Sequence, residues 1–165
     1  LTLPKTPPKG HGRTLAEAFG LPALALLRRR EFRVLIPAAL FTTMFNQFYV
    51  VYAHRYLSQM GWDRPERLMS LAQVAEIGAM LAIRYLDPLR WSKWLMLFGL
   101  AGFAARGVAL AVHEPVSVVL IGVLPHGTGF AFFSVVASTT VDARAPDGLK
   151  ASAQAMLTFA GGGLG

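Results

Sequence analysis

Ser70-Leu71-Ala72-Gln73-Val74-Ala75-Glu76 sets an amide and a carboxylate inside a segment that is otherwise apolar. Between residues 68 and 86 the only charged side chains are Glu76 and Arg84, and Arg84 lies near enough to the end for its long stem to carry the charge to a headgroup region. A glutamate stem is too short to do the same. A carboxylate at membrane depth is costly on every scale, so it faces a bundle interior or a wet cavity and marks an ion or substrate path. Met69, Gln73, Glu76 and Met80 recur at i, i+4, i+7 and i+11, one face of a helix. The small residues Ala72, Ala75, Gly78, Ala79 and Ala82 spread over its other faces, where they permit neighbouring helices to approach closely. A polar pair that only clamps two helices together is the competing reading of Gln73 and Glu76, and these residues by themselves leave both open.

The rest of the chain has the same character. Of its 165 residues 54% are hydrophobic and 15% charged, with a mean hydropathy of +0.46, whereas a soluble domain is charged at about a quarter of its positions. The expected fold is therefore all-α, a polytopic membrane helix bundle, with the lipid bilayer as a partner. The net charge of +7 comes from basic residues gathered at the ends of apolar runs, with no basic, aromatic-interleaved patch, so nucleic acid is not an expected partner. Absence of cysteine removes disulfides, thiolate metal sites and a cysteine nucleophile. No nucleophile, base and orienter stand at mutually sensible spacing, so an enzyme is not expected, nor is a cofactor.

Working outward, residues 1–31 read as a loop rich in Pro, Gly and Lys, followed by a short interfacial helix broken by Gly20 and Pro22. Apolar runs then suggest spans at about 32–57, 68–86, 94–112 and 116–141, with a further span begun but not finished at 149–165, as in a piece of a longer chain. Asn46 and Gln47 sit near the middle of the first span, as interhelical glue or as ligand contacts. Tyr49, Tyr52, Tyr56 and Trp62 cluster toward its far end like an aromatic belt, and Asp63 with Glu66 has capping-box spacing before the second span. Arg106 is the only charge in the third span and lies at about the depth of Glu76, which makes the two plausible partners, either as a proton switch or as an inert buried pair. Gly122, Pro125, Gly127 and Gly129 interrupt the fourth span, whose middle is expected to kink or open where it lines a cavity. His126, Phe130 and Phe133 form a stripe through that weak point; His126 is assigned to the site rather than to packing, and no second ligand stands near enough for a metal.

Taken together, several stretches resemble the nucleoside:proton symporter family of the major facilitator superfamily, in its second six-helix half. They are Leu3-Pro4-Lys5-Thr6-Pro7-Pro8, Gly20-Leu21-Pro22-Ala23-Leu24-Ala25-Leu26-Leu27 and Met69-Ser70-Leu71-Ala72-Gln73-Val74-Ala75-Glu76. Arg106, His126-Gly127 with Phe130, Phe132 and Phe133, and Leu149-Lys150-Ala151-Ser152-Ala153-Gln154 match as well. The resemblance implies two halves around a midplane cavity and import of nucleosides with protons by alternating access, in a multi-pass protein of the bacterial inner cell membrane. It implies substrate contacts at Gln47, Gln73 and Glu76, Phe130 as an aromatic platform, and proton coupling through Glu76, with Arg106 as its expected partner. Three positions depart from the family pattern: Val50 replaces an expected Asn, His126 a familiar Tyr, and Ala131 an Asp carried by some members. A permease for a sugar or other small polar solute, or a non-transporting membrane scaffold, are the alternatives.

Twelve of the sixteen Lys and Arg fall on one side of this topology, three (Arg55, Arg64, Arg67) on the other and Arg106 between, which puts the N-terminal side in the cytoplasm. A cysteine replacing Arg64 is accordingly expected to react with an impermeant thiol reagent from outside the cell, and one replacing Arg90 only after the membrane is opened. The reverse labelling pattern would invert the topology.

Overall fold

The computed structural model describes Leu15 and residues 21–112, 116–123 and 125–162. The expected loop over residues 1–14, the turn at 113–115 and the last residues of the unfinished span lie outside them. Among the described residues every regular element is helical. A 3-10 helix, Leu21–Arg28, leads into α1 (Arg30–Gln59), α2 (Pro65–Ile83) and α3 (Ser92–Val112). A broken run follows: α4 (Val116–Val123), α5 (His126–Gly129), a π-helical turn (Phe130–Val135) and α6 (Val136–Arg144). A short 3-10 turn (Asp147–Leu149) then precedes α7 (Lys150–Gly162). Two of the described helices, α1 and α3, are long and apolar enough to cross a membrane.

Local chemistry sets the ends of these helices. α1 stops where Gly61 takes φ +83°, a conformation that is cheap only without a Cβ. The Met60, Gly61 and Trp62 N–H groups turn back to the carbonyls of Tyr56, Ser58 and Leu57 at 3.1, 3.1 and 3.2 Å, which satisfies the last turn. At the start of α2 the expected capping box does not form. Arg64 precedes the helix without a side-chain cap and Pro65 opens it, filling a position that needs no donor.

The broken run is the hub of the bundle, packing on α2 through α5, on α3 along most of its length and on α7 through α6. It comes close enough to do so because glycines stand at the crossings. A Cβ at Gly127 would enter the Glu76 backbone, one at Gly122 would collide with Ala109, and one at Gly129 would meet the Phe103 ring at 2.8 Å. α3 answers with Gly99 and Gly102, where a Cβ would lie 2.7 Å from the Phe133 nitrogen and 2.8 Å from the Thr128 hydroxyl. The inward face of α2 carries Ala72, Ala79 and Ile83, all buried. Gly78 and Ala82, also expected at close crossings, are exposed, with nothing near a Cβ at Gly78.

Near the chain's N-terminal side, Leu26 of the 3-10 helix, Phe32 and Ile36 of α1, Val141 of α6 and Met156 of α7 close one apolar cluster. Arg144 pairs with Glu31 at 2.6 Å above it, and Arg29 donates to the Arg144 carbonyl at 3.5 Å. That ion pair is about half exposed and contributes little by itself.

Substituting Gly127 by Val is expected to destabilise the bundle by about 1–3 kcal/mol or more, since the obstacle is backbone and cannot rotate away. Gly78→Val, on an open face, serves as the control. Thermal unfolding in detergent reads the difference, and equal midpoints for the two variants would refute the crossing.

Candidate functional site

A cavity of about 430 Å³ opens between α1, the π turn with α6, and α7. Thr42, Thr43, Asn46 and Gln47 line it from α1, Phe130, Phe133 and Ser134 from the π turn, Ser138 from α6, and Gln154 and Thr158 from α7. Its lining carries amides, hydroxyls and rings, and no charged side chain. The size suits a small-molecule site, for which about 300–1,000 Å³ is usual.

Backbone irregularity shapes the wall. The run restarts after its break with the Gly129 N–H donating to the Pro125 carbonyl at 3.0 Å and the Thr128 hydroxyl donating to that same oxygen at 2.7 Å. The π turn that follows brings Phe130, Phe133 and Ser134 to the cavity, a kind of distortion that recurs at functional sites. Beyond it the Thr139 and Thr140 hydroxyls donate to the carbonyls of Val135 and Val136 at 2.9 and 2.7 Å. Across the cavity Gln154 is locked in one orientation: its Nε2 donates to the Ser138 carbonyl at 2.8 Å and its Oε1 accepts from the Ser138 hydroxyl at 3.2 Å.

Behind the cavity lies Arg106, 0% exposed. Its Nη1 donates to Asn46 Oδ1 at 3.1 Å and meets His126 Nδ1, while Nε and Nη2 find no partner among the described residues. Aromatic faces enclose the guanidinium, with the Tyr49 ring centroid at 4.0 Å, Phe103 at 5.0 Å and Phe45 at 5.6 Å. Tyr49 is thus buried under the arginine rather than standing in an interfacial belt. Tyr56 fits the outer end better, its hydroxyl donating to the Leu110 carbonyl.

Of the residues singled out in the sequence, the structure brings Asn46, Gln47, Phe130 and Phe133 to the cavity. His126 lies one turn before Phe130 but is buried against Arg106, Tyr49 and Phe103, and is not among the lining residues. Gln73 is exposed on α2 and Glu76 half-buried, with Gly127 of α5 against its backbone. Arg106 and Glu76, expected at matching depth, do not form an ion pair: Arg106 turns to α1 and α5, and among the described residues Glu76 has no ionic partner. The hydroxyls of Ser134, Ser138, Thr42 and Thr158 were not foreseen. Their spacing carried a signal, since Ser134 and Ser138 stand at i, i+4, as do Thr42 and Asn46.

Helices throughout the described residues, two of them of membrane length, and a cavity with polar groups but no charge in its lining fit a membrane transporter. The comparisons narrow the class. Residues 1–165 match the family model described as "Nucleoside H+ symporter", and the chain belongs to that family. It is 32% identical over 169 residues to the "Putative nucleoside transporter YegT" of Escherichia coli (strain K12), a match covering 99% of this chain. The chain spans 40% of that relative's length. No solved structure matches it.

Proposed function

We propose that the chain is part of a multi-pass, bacterial inner-membrane importer that carries nucleosides together with protons by alternating access. The observation that carries this reading is the uncharged cavity of about 430 Å³ with Phe130 on one wall and Asn46, Gln47 and Ser134 around it. A nucleoside is neutral, with a flat base to stack and base and sugar groups to hydrogen-bond, and such a lining offers a ring face, amides and hydroxyls without a counter-ion. Family membership supports the same substrate class. In this reading Gln47 and Phe130 touch the substrate, and Gln73, exposed on α2, is free to join the site in the complete protein. His126 supports the wall from behind through Arg106.

Glu76 is the coupling acid in this reading. It stands on α2 where α5 crosses, with no ion pair to commit it, so a motion that wets or dries that crossing changes the cost of its charged form. Arg106 acts on coupling through His126 and α5 and not as an ion-pair partner of Glu76.

Two experiments follow in the full-length protein. Phe130→Ala is expected to weaken purine and pyrimidine nucleosides alike, since stacking of about 1–3 kcal/mol per base is tolerant of base identity; unchanged affinity with only lower membrane abundance would make Phe130 a packing residue. Glu76→Gln keeps size and hydrogen bonding but cannot titrate. Reconstituted in vesicles, it is expected to lose accumulation against a gradient and dependence on external pH while retaining substrate exchange. Concentrative, pH-dependent uptake at the parental rate would remove Glu76 from the coupling path.

A further inference from the structure

We propose that Arg106 holds Asn46 in a single orientation, so that Asn46 presents only hydrogen-bond donors to the cavity and selects solutes carrying an acceptor there. The inference rests on the nucleoside reading above and specifies one contact of that site.

Asn46 is the polar residue that touches both environments: it lines the cavity, and its Oδ1 accepts from Arg106 Nη1 at 3.1 Å. A side-chain amide can usually flip, exchanging its carbonyl for its NH₂ group. Here it cannot without loss. A guanidinium has donors only, and turning the NH₂ group toward it would set donor against donor beside a fully buried charge. Arg106 is itself fixed, enclosed by the rings of Tyr49, Phe103 and Phe45 and touching His126. The carbonyl of Asn46 is therefore spoken for. What remains for the cavity is Nδ2 with its two hydrogens, for which the described residues supply no acceptor.

The opposite wall is fixed in a different sense. Gln154 uses its carbonyl and one amide hydrogen on Ser138, whereas Gln47 and Ser134 have no partner among the described residues and can adapt to donor or acceptor. Asn46 and Gln154 are thus the amides of the lining whose polarity is set in advance, and of the two Asn46 keeps both amide hydrogens for a solute. A site with a committed donor discriminates strongly against an analogue lacking the matching acceptor. The inference places that acceptor on the base, as a carbonyl oxygen or an unprotonated ring nitrogen.

The test measures binding to the purified full-length protein and to Asn46→Asp. The panel pairs adenosine with its 1-, 3- and 7-deaza analogues, each lacking one ring acceptor, and uridine with 4-thiouridine, whose sulfur accepts poorly. Asn46→Asp keeps an oxygen for Arg106 and the same shape, so its thermal midpoint is expected to be at least parental, but it turns an acceptor toward the ligand. The parental protein is expected to bind the acceptor-bearing member of at least one pair about tenfold more tightly, the scale of one well-formed hydrogen bond to a committed partner, and Asn46→Asp to abolish that ratio. Asn46→Leu, read on the same pairs, is expected to do likewise and serves if the aspartate variant fails to fold. A parental ratio near one in every pair, or a ratio that survives in the variants, overturns the inference while leaving nucleoside binding intact. A parental protein that binds no member of the panel overturns the nucleoside reading and this inference with it.

Discussion

Backbone contact between the broken helical run and its two neighbours is the constraint on which the bundle depends. Lipid tails are as apolar as leucine, so helices in a membrane gain little from burying apolar faces against one another and must associate by close packing and hydrogen bonds. Glycines provide that packing here. Gly127 lies against the Glu76 backbone, Gly122 against Ala109, and Gly99 and Gly102 receive Phe133 and Thr128. Each contact is short enough that a single methyl would part the helices, so the crossings fix where α5 and the π turn stand. Phe130, Phe133 and Ser134 inherit their positions at the cavity from those crossings.

Arg106 presents the opposite problem, a full charge in an interior that offers it no carboxylate among the described residues. The structure answers with polarizable faces rather than an anion. Tyr49, Phe103 and Phe45 surround the guanidinium, and a well-placed ring face in a desolvated setting supplies about 2 kcal/mol or more. Asn46 adds a carbonyl dipole. This arrangement separates two duties that a Glu76–Arg106 pair would have merged. On the proposed reading the arginine organises the cavity wall, while the glutamate has no ionic partner among the described residues.

Much of the fold was legible because hydropathy and breakers act along the chain. Apolar runs marked the helices, and Gly122, Pro125, Gly127 and Gly129 marked the break. What was not legible depends on direction around a helix axis. Counting residues places Glu76 and Arg106 at one depth, but depth does not say which way a side chain points, and Arg106 turns to Asn46 and His126 without pairing with Glu76. Tyr49 was read with Tyr52 and Tyr56 for the same reason, although its ring turns inward to the arginine. The π turn at Phe130–Val135 has no local signature; residues 130–135 would suit an α-helix, and their backbone is set where Phe133 meets Gly99 of α3. At α2 the capping-box spacing was present, but the helix starts one residue later than the box needs, with Arg64 at its N-cap and Pro65 first, so Asp63 and Glu66 miss the two capping positions.

The same broken run touches both ends of the proposed chemistry, and this decides how they could communicate. Gly127 contacts the Glu76 backbone, and Phe130, three residues on, lines the cavity, with one helical turn and the start of the π segment between them. On the reading proposed above, a substrate that pulls Phe130 or Ser134 displaces a short stiff element whose other end is in van der Waals contact with α2. No side-chain relay is needed, and Arg106 need not exchange partners. Coupling of that kind requires an element with two accessible arrangements, and a π turn is a local distortion of the helical ladder of the sort that recurs at functional sites. The hydroxyls of Thr139 and Thr140, bonded to carbonyls at the end of that turn, keep those acceptors satisfied as the local ladder changes. On that reading the link between solute and proton runs through main chain, where the glycines bring the two helices together.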